Sequence, residues 1–405
     1  MNSPLDVVIT GIGLVSSLAD GADAHMARLR EGAPTLYDRE TFAPYPFHPL
    51  PALDHDAFIP KKSDQRQMES WQRLGVHAAG RALQDGGVLG NSELLAKTHM
   101  IVAAGGGERD VAVDEAVMSG ARGAKDRGAY LNEQLMRNLR PTLFLAQLPN
   151  LLAGNISIVH GVTGSSRTFM GEEAAGFDAV GVMAARISAG DVEIGLVGAA
   201  YSATRPDLSL VFSFGGSLFS GEPTGVWSRA RRGGGMIMGS VGAFLLMESR
   251  AHASARGARV SAVVGPVLSE RSRRGAGDAT RKAEAMWSTM ERSLAPGAVG
   301  VLSGATGVEP ITEEERAFLG YAERRRDIYV RAPGSRMGQS MEASAAANVG
   351  LAALALREAS YFAPFEDDAI EREAAKAPTQ IVVTSLGHWR GEGMILLRRE
   401  GEGQA

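Results

Sequence analysis

The chain has 405 residues, a net charge of −4, 44% apolar and 22% charged residues, and no cysteine. This composition is typical of a globular protein, and the charge would not attract nucleic acid or an anionic membrane. The missing cysteine excludes disulfides, cysteine-bound zinc and a thiolate nucleophile. The opening "MNSPLDVVITGIGLVSS" lacks the basic residues of a secretory signal, and no run reaches the ~18 apolar residues of a membrane span, so we expect a cytoplasmic protein.

In the first part of the chain, buried strands alternate with segments of helical period. "DVVITGIGLVSSL" predicts a strand that turns tightly at Gly11 and Gly13, and it lacks the third glycine of a dinucleotide fingerprint. Residues 63–87 predict one helix with Asp64 as its cap, and "HMIVAAGGG" predicts a buried strand. We also expect helices at 18–32 and 109–140, two helical pieces broken at Pro149, and the strands "VEIGLVGAA" and "GGGMIMGSVGAFLLMES".

The second part repeats this alternation. It predicts the strands "VSAVVGPVL", "GAVGVLSGATG", "TQIVVTSLG" and "GMILLRR", helices at 278–294 and from Thr312, and a small-residue helix in "QSMEASAAANVGLAALALREA". Alternating strands and helices favour an α/β protein with a largely parallel sheet. The segments "VEIGLVGA…VGAFLLMES" and "TQIVVTSLG…GMILLRR" are similar in pattern. They predict two related halves, residues 1–255 and 256–405, in a duplicated fold of five α-β-α-β-α layers.

The stretch "GSSRTFMGEEAAGFDAVG" predicts a strand at 165–170 that turns sharply into a helix. Enzymes use such an elbow to present a nucleophile, but here it carries Glu172 and Glu173. The two acids could favour the start of a helix through its dipole, transfer protons from a buried site, or fill the place of a lost nucleophile. If Glu173 is buried, we expect a raised pKa or pairing with a cation such as Arg167.

The rest of the sequence contains few motifs that indicate a catalytic or metal site. No P-loop, GxSxG or HExxH motif occurs, and the eight histidines lack metal-ligand spacing, so we expect neither a cofactor nor a metal. His77 fits an interior position on an apolar helix. The basic groups at 271–274 and 324–326 fit solvated faces or a surface for an acidic partner such as a carrier protein.

Taken in order, these segments resemble the β-ketoacyl synthase family of the thiolase fold over nearly the whole chain. The resemblance rests on "VVITGIGLVSSL", "LGVHAAGRALQDGGV", "LPNLLAGNISIVHGVTGSS", "MGSVGAFLLME" and the closing "SLGHWRGEGMIL", where the family has a glycine-rich phenylalanine gate. In that family a cysteine at the elbow carries the acyl chain. Two histidines assist decarboxylation of a malonyl-carrier extender, and a lysine supports the second histidine.

Position by position, the resemblance places the cysteine at Glu173, the two histidines at Gly304 and Gln339, and the lysine at Gly334. A glutamate cannot form the thioester, and a glycine has no side chain to donate a proton. The resemblance therefore implies that none of the family's catalytic residues is intact. We expect no condensation by this chain alone.

Within the family, "EEAAGFDA" at 172–179 is similar to the "EQAGGLDA" elbow of chain length factors, the non-catalytic subunits of type II polyketide synthases. This implies a heterodimer with an active ketosynthase, contact with an acyl carrier protein, and a tunnel for the growing acyl or polyketide chain. The biosynthesis implied is of type II polyketides, polyenes included, or is fatty-acid-like. No nucleic acid or membrane is expected as a partner. Candidate elbow, tunnel or interface residues are Glu172, Glu173, Arg167, Phe169 and His388.

Two other functions remain open. The chain could be a malonyl-carrier decarboxylase or priming ketosynthase variant that uses Glu173, with an oxyanion hole formed by backbone N–H groups at the elbow. The loss of both histidines counts against this alternative. The chain could also be a homodimeric scaffold or regulatory protein with a decayed site. Association with an active synthase would separate the first function from the scaffold.

Overall fold

The computed structural model describes residue 3, residues 5–138, residue 145 and residues 147–401. The predicted helical piece before Pro149 lies mostly outside these residues. Among the described residues, no helix is long and apolar enough to cross a membrane. The strands are β1 (Val7–Val15), β2 (Phe47–His48), β3 (His99–Ala103), β4 (Ser166–Phe169), β5 (Ile194–Tyr201), β6 (Met238–Gly239), β7 (Val241–Ser249), β8 (Ala262–Glu270), β9 (Val299–Ser303), β10 (Ile328–Arg331), β11 (Gln380–Leu386) and β12 (Glu392–Arg398).

The helices lie between these strands, largely where helical period predicts them. Short 3-10 turns occur at His55–Ala57 and Glu291–Ser293. The α-helices are α1 (Ala22–Arg30), α2 (Lys62–Gln67), α3 (Ser70–Asp85), α4 (Ser92–Lys97), α5 (Val111–Gly123), α6 (Arg127–Arg137), α7 (Leu151–His160), α8 (Glu172–Ser188), α9 (Pro206–Phe214), α10 (Val226–Ala230), α11 (Arg250–Ala255), α12 (Asp278–Met290), α13 (Ile311–Glu323), α14 (Gly334–Met337) and α15 (Ala343–Arg357).

The main sheet has ten strands in the order β10-β9-β11-β12-β8-β1-β7-β5-β3-β4. From the centre outwards, one half reads β1-β7-β5-β3-β4 and the other reads β8-β12-β11-β9-β10. If the five strands of each half are numbered along the chain, both halves have the same spatial order, 1-5-4-2-3. The directions of pairing also match, with two antiparallel pairs followed by two parallel pairs in each half. This repeated order confirms the predicted duplication.

The two halves form one continuous sheet because β1 pairs antiparallel with β8 from Val7↔Val264 to Ile9↔Ala262. The sheet is mixed. The prediction of a largely parallel sheet was therefore wrong. The last strand of each half, β7 or β12, runs antiparallel to both of its neighbours. The domain boundary at residue 255 stays a prediction.

Two helices, α8 and α15, form the central layer. Every residue of α15 from Ala345 to Leu356 is buried, and the helix contacts strands of both halves as well as α8. A helix that is apolar on all sides is stable only when it is enclosed on all sides. Helices α3 and α7 pack on strands of the first half, and helices α12 and α13 pack on strands of the second half. The result is the five-layer arrangement expected from the sequence.

The glycines of β1 serve packing and not a turn, contrary to the expectation. A Cβ at Gly13 would lie 1.9 Å from the Ala78 carbonyl oxygen, and one at Gly11 would lie 2.3 Å from that of Ala82. Because both carbonyls belong to α3, the glycines allow this helix to approach the strand closely.

The predicted helix at 63–87 is two helices, and Asp64 does not cap the longer one. Glu69 is the N-cap of α3, and its side chain and that of Gln72 form a reciprocal capping box. The predicted helix at 18–32 is shorter at both ends, and the helical region 109–140 divides into α5 and α6. His77 is buried, as expected, and its Nε2 lies 3.0 Å from the Asp20 carboxylate.

Candidate functional site

The elbow predicted after β4 is present and is sharply turned. Gly171 has φ 140°, and Glu172 has φ 52°, the left-handed region that residues with a Cβ rarely adopt. Helix α8 then begins, so the side chains of Glu172 and Glu173 stand at its first turn. This backbone presents Glu173 to the centre of the molecule.

Glu173 is buried, with 1% of its surface exposed, and one carboxylate oxygen has three donors. Its Oε1 accepts hydrogen bonds from Gln339 Nε2 at 2.8 Å, from the His388 backbone N–H at 3.2 Å and from His388 Nδ1 at 3.0 Å. The structure therefore brings three of the sequence-derived candidates into direct contact. They come from α8, from the loop after α14 and from the turn between β11 and β12.

Glu173 and His388 form a buried hydrogen-bonded pair, which is an ion pair when the imidazole is protonated. Burial acts to raise the pKa of Glu173, but the charge and hydrogen bonds of His388 outweigh it, so the pKa lies below its ordinary value. Burial acts to lower the pKa of His388, but the neighbouring carboxylates of Glu173 and Glu172 raise it. Glu173 is buried, and of the two outcomes expected in that case it is pairing with a basic group that occurs, and not a raised pKa. The cation is His388 and not Arg167, whose side chain is exposed on β4.

A second elbow precedes α15. Met341 has φ 45°, and the next residue, Glu342, is buried, just as Glu172 precedes the buried Glu173. Burial raises the pKa of Glu342 to about 7, with a further increase from the charges of Glu173 and Glu172. Burial likewise raises the pKa of Glu172. The duplication thus places an acid at the corresponding point of each half.

Two other predicted positions contribute no side chain to this cluster. Gly304 follows β9, and a Cβ there would lie 2.8 Å from the Thr384 carbonyl oxygen and 2.9 Å from Ser385 Cβ. An imidazole at this position would need the neighbouring strand to shift. Gly334 begins α14, where a Cβ would lie 3.3 Å from the Ala305 carbonyl oxygen. Phe169 is partly buried against the central core.

Sequence reasoning missed Glu315, which is fully buried in α13. Its Oε1 accepts hydrogen bonds from the hydroxyls of Ser303 at 2.6 Å and Thr384 at 3.1 Å. Burial raises its pKa to about 7. Glu315 belongs to the acidic run "EEER" at 313–316 of a helix that was predicted from Thr312. However, Glu315 follows Ile311 by four residues and precedes Phe318 by three, and that spacing places it on the apolar face.

Two cavities border the cluster. A cavity of about 470 Å³ is lined by His388, Trp389 and apolar residues of the α13 region, together with Arg273, Arg274 and Arg390. A smaller cavity of about 190 Å³ is lined by Glu172, Glu342 and Phe212. The Phe212 and His388 rings meet edge to face with centroids 5.6 Å apart. This aromatic contact lies where the two cavities approach each other.

The cluster has atoms that a metal ion could use. One ligand atom each from Glu172, Glu173 and His388 lies within 4.8 Å of the others. In the arrangement described, however, the Nδ1–Oε1 contact of 3.0 Å is a hydrogen bond. Of the basic groups, Arg274 contacts the Gly387 carbonyl and Glu392, whereas Arg325 and Arg326 pair with Glu291 on the surface.

The sequence matches a family model described as "Beta-ketoacyl synthase, N-terminal domain" over residues 5–253. A 3-oxoacyl-[acyl-carrier-protein] synthase 2 from Vibrio cholerae is 25% identical over 268 residues, which are 64% of this chain and 61% of that protein. The match thus spans about three fifths of that relative. The tetracenomycin polyketide synthase ketoacyl synthase beta subunit of Streptomyces glaucescens is 26% identical over 381 residues, 88% of this chain and 87% of that protein.

The fold also matches a solved structure described as the ishigamide ketosynthase/chain length factor. The TM-score is 0.79 at 20% identity, and the match covers 98% of this chain and 99% of that chain. At this identity the likeness concerns the fold. It agrees with the five-layer architecture.

Proposed function

Because the chain belongs to the β-ketoacyl synthase family of the thiolase fold, we propose that it is a subunit like the chain length factors. It pairs with an active ketosynthase, does not itself condense acyl units, and helps to enclose the growing chain in type II polyketide or fatty-acid-like biosynthesis. The observation that carries this proposal is Glu173, held by Gln339 and His388 at the elbow.

This arrangement supports the proposed absence of condensation. Forming an acyl thioester needs a thiolate, and stabilising the enolate of the extender needs neutral donors. The oxygen of Glu173 that faces Gln339 and His388 already accepts three hydrogen bonds. Gln339 is occupied in holding the glutamate, and Gly304 has no side chain. The site therefore fits a subunit that does not condense acyl units.

The same arrangement counts against the decarboxylase alternative. A carboxylate acting on a malonyl group would have to approach the substrate. Glu173 is instead enclosed and paired with a cation, and burial leaves 1% of its surface exposed. Because that surface is so small, the pairing subunit is the better supported of the two functions.

Strand β4 supports pairing with another chain. It is the last strand of the sheet, and Ser166 and Arg167 on it are exposed. Nearby Met170 is 61% exposed and Ile158, on α7, is 74% exposed. An unpaired edge strand beside apolar side chains is a ready surface for strand addition. A ketosynthase partner is proposed for this edge, and an acyl carrier protein for the resulting complex.

The register of β4 shows which backbone groups a partner would use. The carbonyls of Ser165 and Phe169 accept hydrogen bonds from β3. Because strand residues alternate in direction, the backbone groups of Ser166 and Thr168 point away from β3. Proline at residue 168 would remove one outward N–H group and leave the pairing with β3 intact.

The experiment is co-purification of the chain with the active ketosynthase encoded beside it, followed by mass measurement and a condensation assay with a malonyl-loaded carrier. We expect a heterodimer whose condensing activity neither chain has alone. Thr168→Pro should reduce heterodimer yield at least tenfold, whereas Thr168→Ala should not. Unaided condensation by this chain, or a stable homodimer that ignores the synthase, would refute the proposal.

A further inference from the structure

His388 is oriented like the histidine of a catalytic dyad. Its Nδ1 is fixed at 3.0 Å from Glu173 Oε1. Its Nε2 has no hydrogen-bond partner among the described residues and is not one of their fully enclosed atoms, and the residue lines the 470 Å³ cavity. A carboxylate that holds Nδ1 fixes the ring tautomer and leaves Nε2 free to accept a proton.

The cavity in front of Nε2 suits an amphiphilic anion. Arg273, Arg274 and Arg390 line it, and neither Arg273 nor Arg390 has an ion-pair partner among the residues that the structure describes. Of its two acids, Glu314 is engaged with backbone N–H groups at the start of α12. Trp389 provides an apolar wall at the mouth, with 67% of its surface exposed. The cavity volume is in the range of small-molecule sites.

We propose that Glu173 and His388 form a dyad that hydrolyses acyl thioesters bound in this cavity. His388 is the catalytic residue, and Glu173 is the residue that positions it. The acyl class of ligand rests on the proposed function, but the dyad and the basic cavity stand on their own geometry. Such an activity would clear mis-loaded or stalled acyl chains from a carrier without any condensation.

The reaction balances without a further reactant. A water oxygen attacks the thioester carbonyl while Nε2 of His388 takes one water proton. The C–S bond then breaks, and the imidazolium returns that proton to the departing thiolate, so the products are a carboxylic acid and a free thiol. The imidazolium formed in between is stabilised by Glu173. The Arg274 charge beside His388 favours the negative charge that develops on the carbonyl oxygen.

The test is thiol release by the isolated chain from acetyl- and octanoyl-coenzyme A, followed with a thiol reagent. The protein has no cysteine, so it adds no thiol signal of its own. We expect His388→Gln to lower kcat at least 100-fold. Glu173→Gln should lower kcat about tenfold and change its pH profile, whereas Glu173→Asp should restore part of the rate.

The matched control is His252→Gln. His252 Nδ1 also contacts a buried glutamate, Glu248, at 2.6 Å, but this pair lies outside the proposed machinery. The control should hydrolyse thioesters like the wild type. Arg273→Ala and Arg390→Ala should raise KM for the coenzyme A thioesters severalfold and leave KM for uncharged N-acetylcysteamine thioesters unchanged.

The proposal is overturned if the wild-type chain releases thiol no faster than buffer, or if folded His388→Gln retains the wild-type rate. The rate of thiol release by the wild-type chain tests the proposal even where a variant does not fold. Because the assay uses the isolated chain, its failure is separate from failure to form the heterodimer. A chain that pairs with a synthase but releases no thiol would overturn the dyad alone.

Discussion

The amide of Gln339 donates to the carboxylate of Glu173 across 2.8 Å, although the two residues are 166 positions apart in the sequence. The sequence resemblance to the family predicts that each stands where a condensing member has a reactive group. Here the Gln339 amide is hydrogen-bonded to Oε1 of Glu173, while Oε2 of Glu173 is buried without a hydrogen-bond partner among the described residues. Both side chains are buried in the protein's interior.

Replacing Gln339 by alanine should destabilise the protein. The variant leaves a buried carboxylate with one donor fewer, and hydrogen bonds to charged groups contribute about 1.5–3 kcal/mol. We expect the free energy of unfolding in urea to fall by about 2 kcal/mol. Gln84→Ala, at an exposed position of α3, should change it by no more than about 0.5 kcal/mol. Equal effects of the two variants would contradict the contact.

The stabilisation from Glu173 and His388 should depend on pH. The lowered pKa of Glu173 stabilises the fold above its unfolded value of 4.5, and this effect is lost as pH falls through the folded pKa. The raised pKa of His388 stabilises the fold below its unfolded value of 6.5, and this effect is lost as pH rises through the folded pKa. Glu172 and Arg274 also face the imidazole and enter its titration.

His388→Gln should therefore lower the free energy of unfolding most between pH 4.5 and 6.5. Removing one partner of a buried ion pair costs about 3–5 kcal/mol. The loss should shrink as pH rises through the folded pKa of His388, where the wild-type imidazole becomes neutral. Urea unfolding of both proteins from pH 5 to 9 measures the difference. A loss that stays constant across this range would contradict the ion pair.

Glu315 should make the protein less stable as pH rises. Its pKa is raised by burial from 4.5 to about 7, so its stabilising effect is complete below 4.5 and is lost through the folded value. Glu315→Gln keeps an oxygen for Ser303 and Thr384 but does not titrate. Between pH 5 and 7 the unfolding free energy of the variant should fall less steeply, by up to about 1 kcal/mol per pH unit. Glu313→Gln, on the solvent side of α13, should keep the wild-type slope.

Glu173→Cys should accept an acyl group but should not condense. The new thiol would be the only one in the chain, so mass spectrometry can locate its acylation without ambiguity. Gly304 and Gln339 still lack the imidazoles that assist decarboxylation of the extender. We expect no elongated product from the variant with a malonyl-loaded carrier. Elongation by Glu173→Cys alone would show that the two missing histidines are dispensable.

Several features could be predicted from local sequence because they are local in origin. The elbow follows from small and β-favouring residues that end in a glycine before an alanine-rich helix. The buried strands and α15 follow from long apolar runs. The order of these segments pointed to the five-layer fold.

Other features depend on distant neighbours. The pairing of Glu173 with His388 joins residues 215 positions apart, and nothing near Glu173 indicates it. Strand β10 has four residues and follows the charged run at 323–327, so its period is too short to recognise. The turn expected at Gly11 was wrong because a glycine signals close backbone approach as well as a bend.

The two ends of the sheet differ. At β10 all four residues are buried, Tyr361 donates a hydrogen bond to the Tyr329 carbonyl, and the Arg331 guanidinium donates to the carbonyls of Phe362 and Arg372. The segment that follows α15 therefore closes that end, whereas no strand among the described residues pairs with the outer side of β4. If the proposed partner adds to β4, the covered end at β10 offers no second edge. Edge pairing would then stop at two chains and would not propagate into a filament.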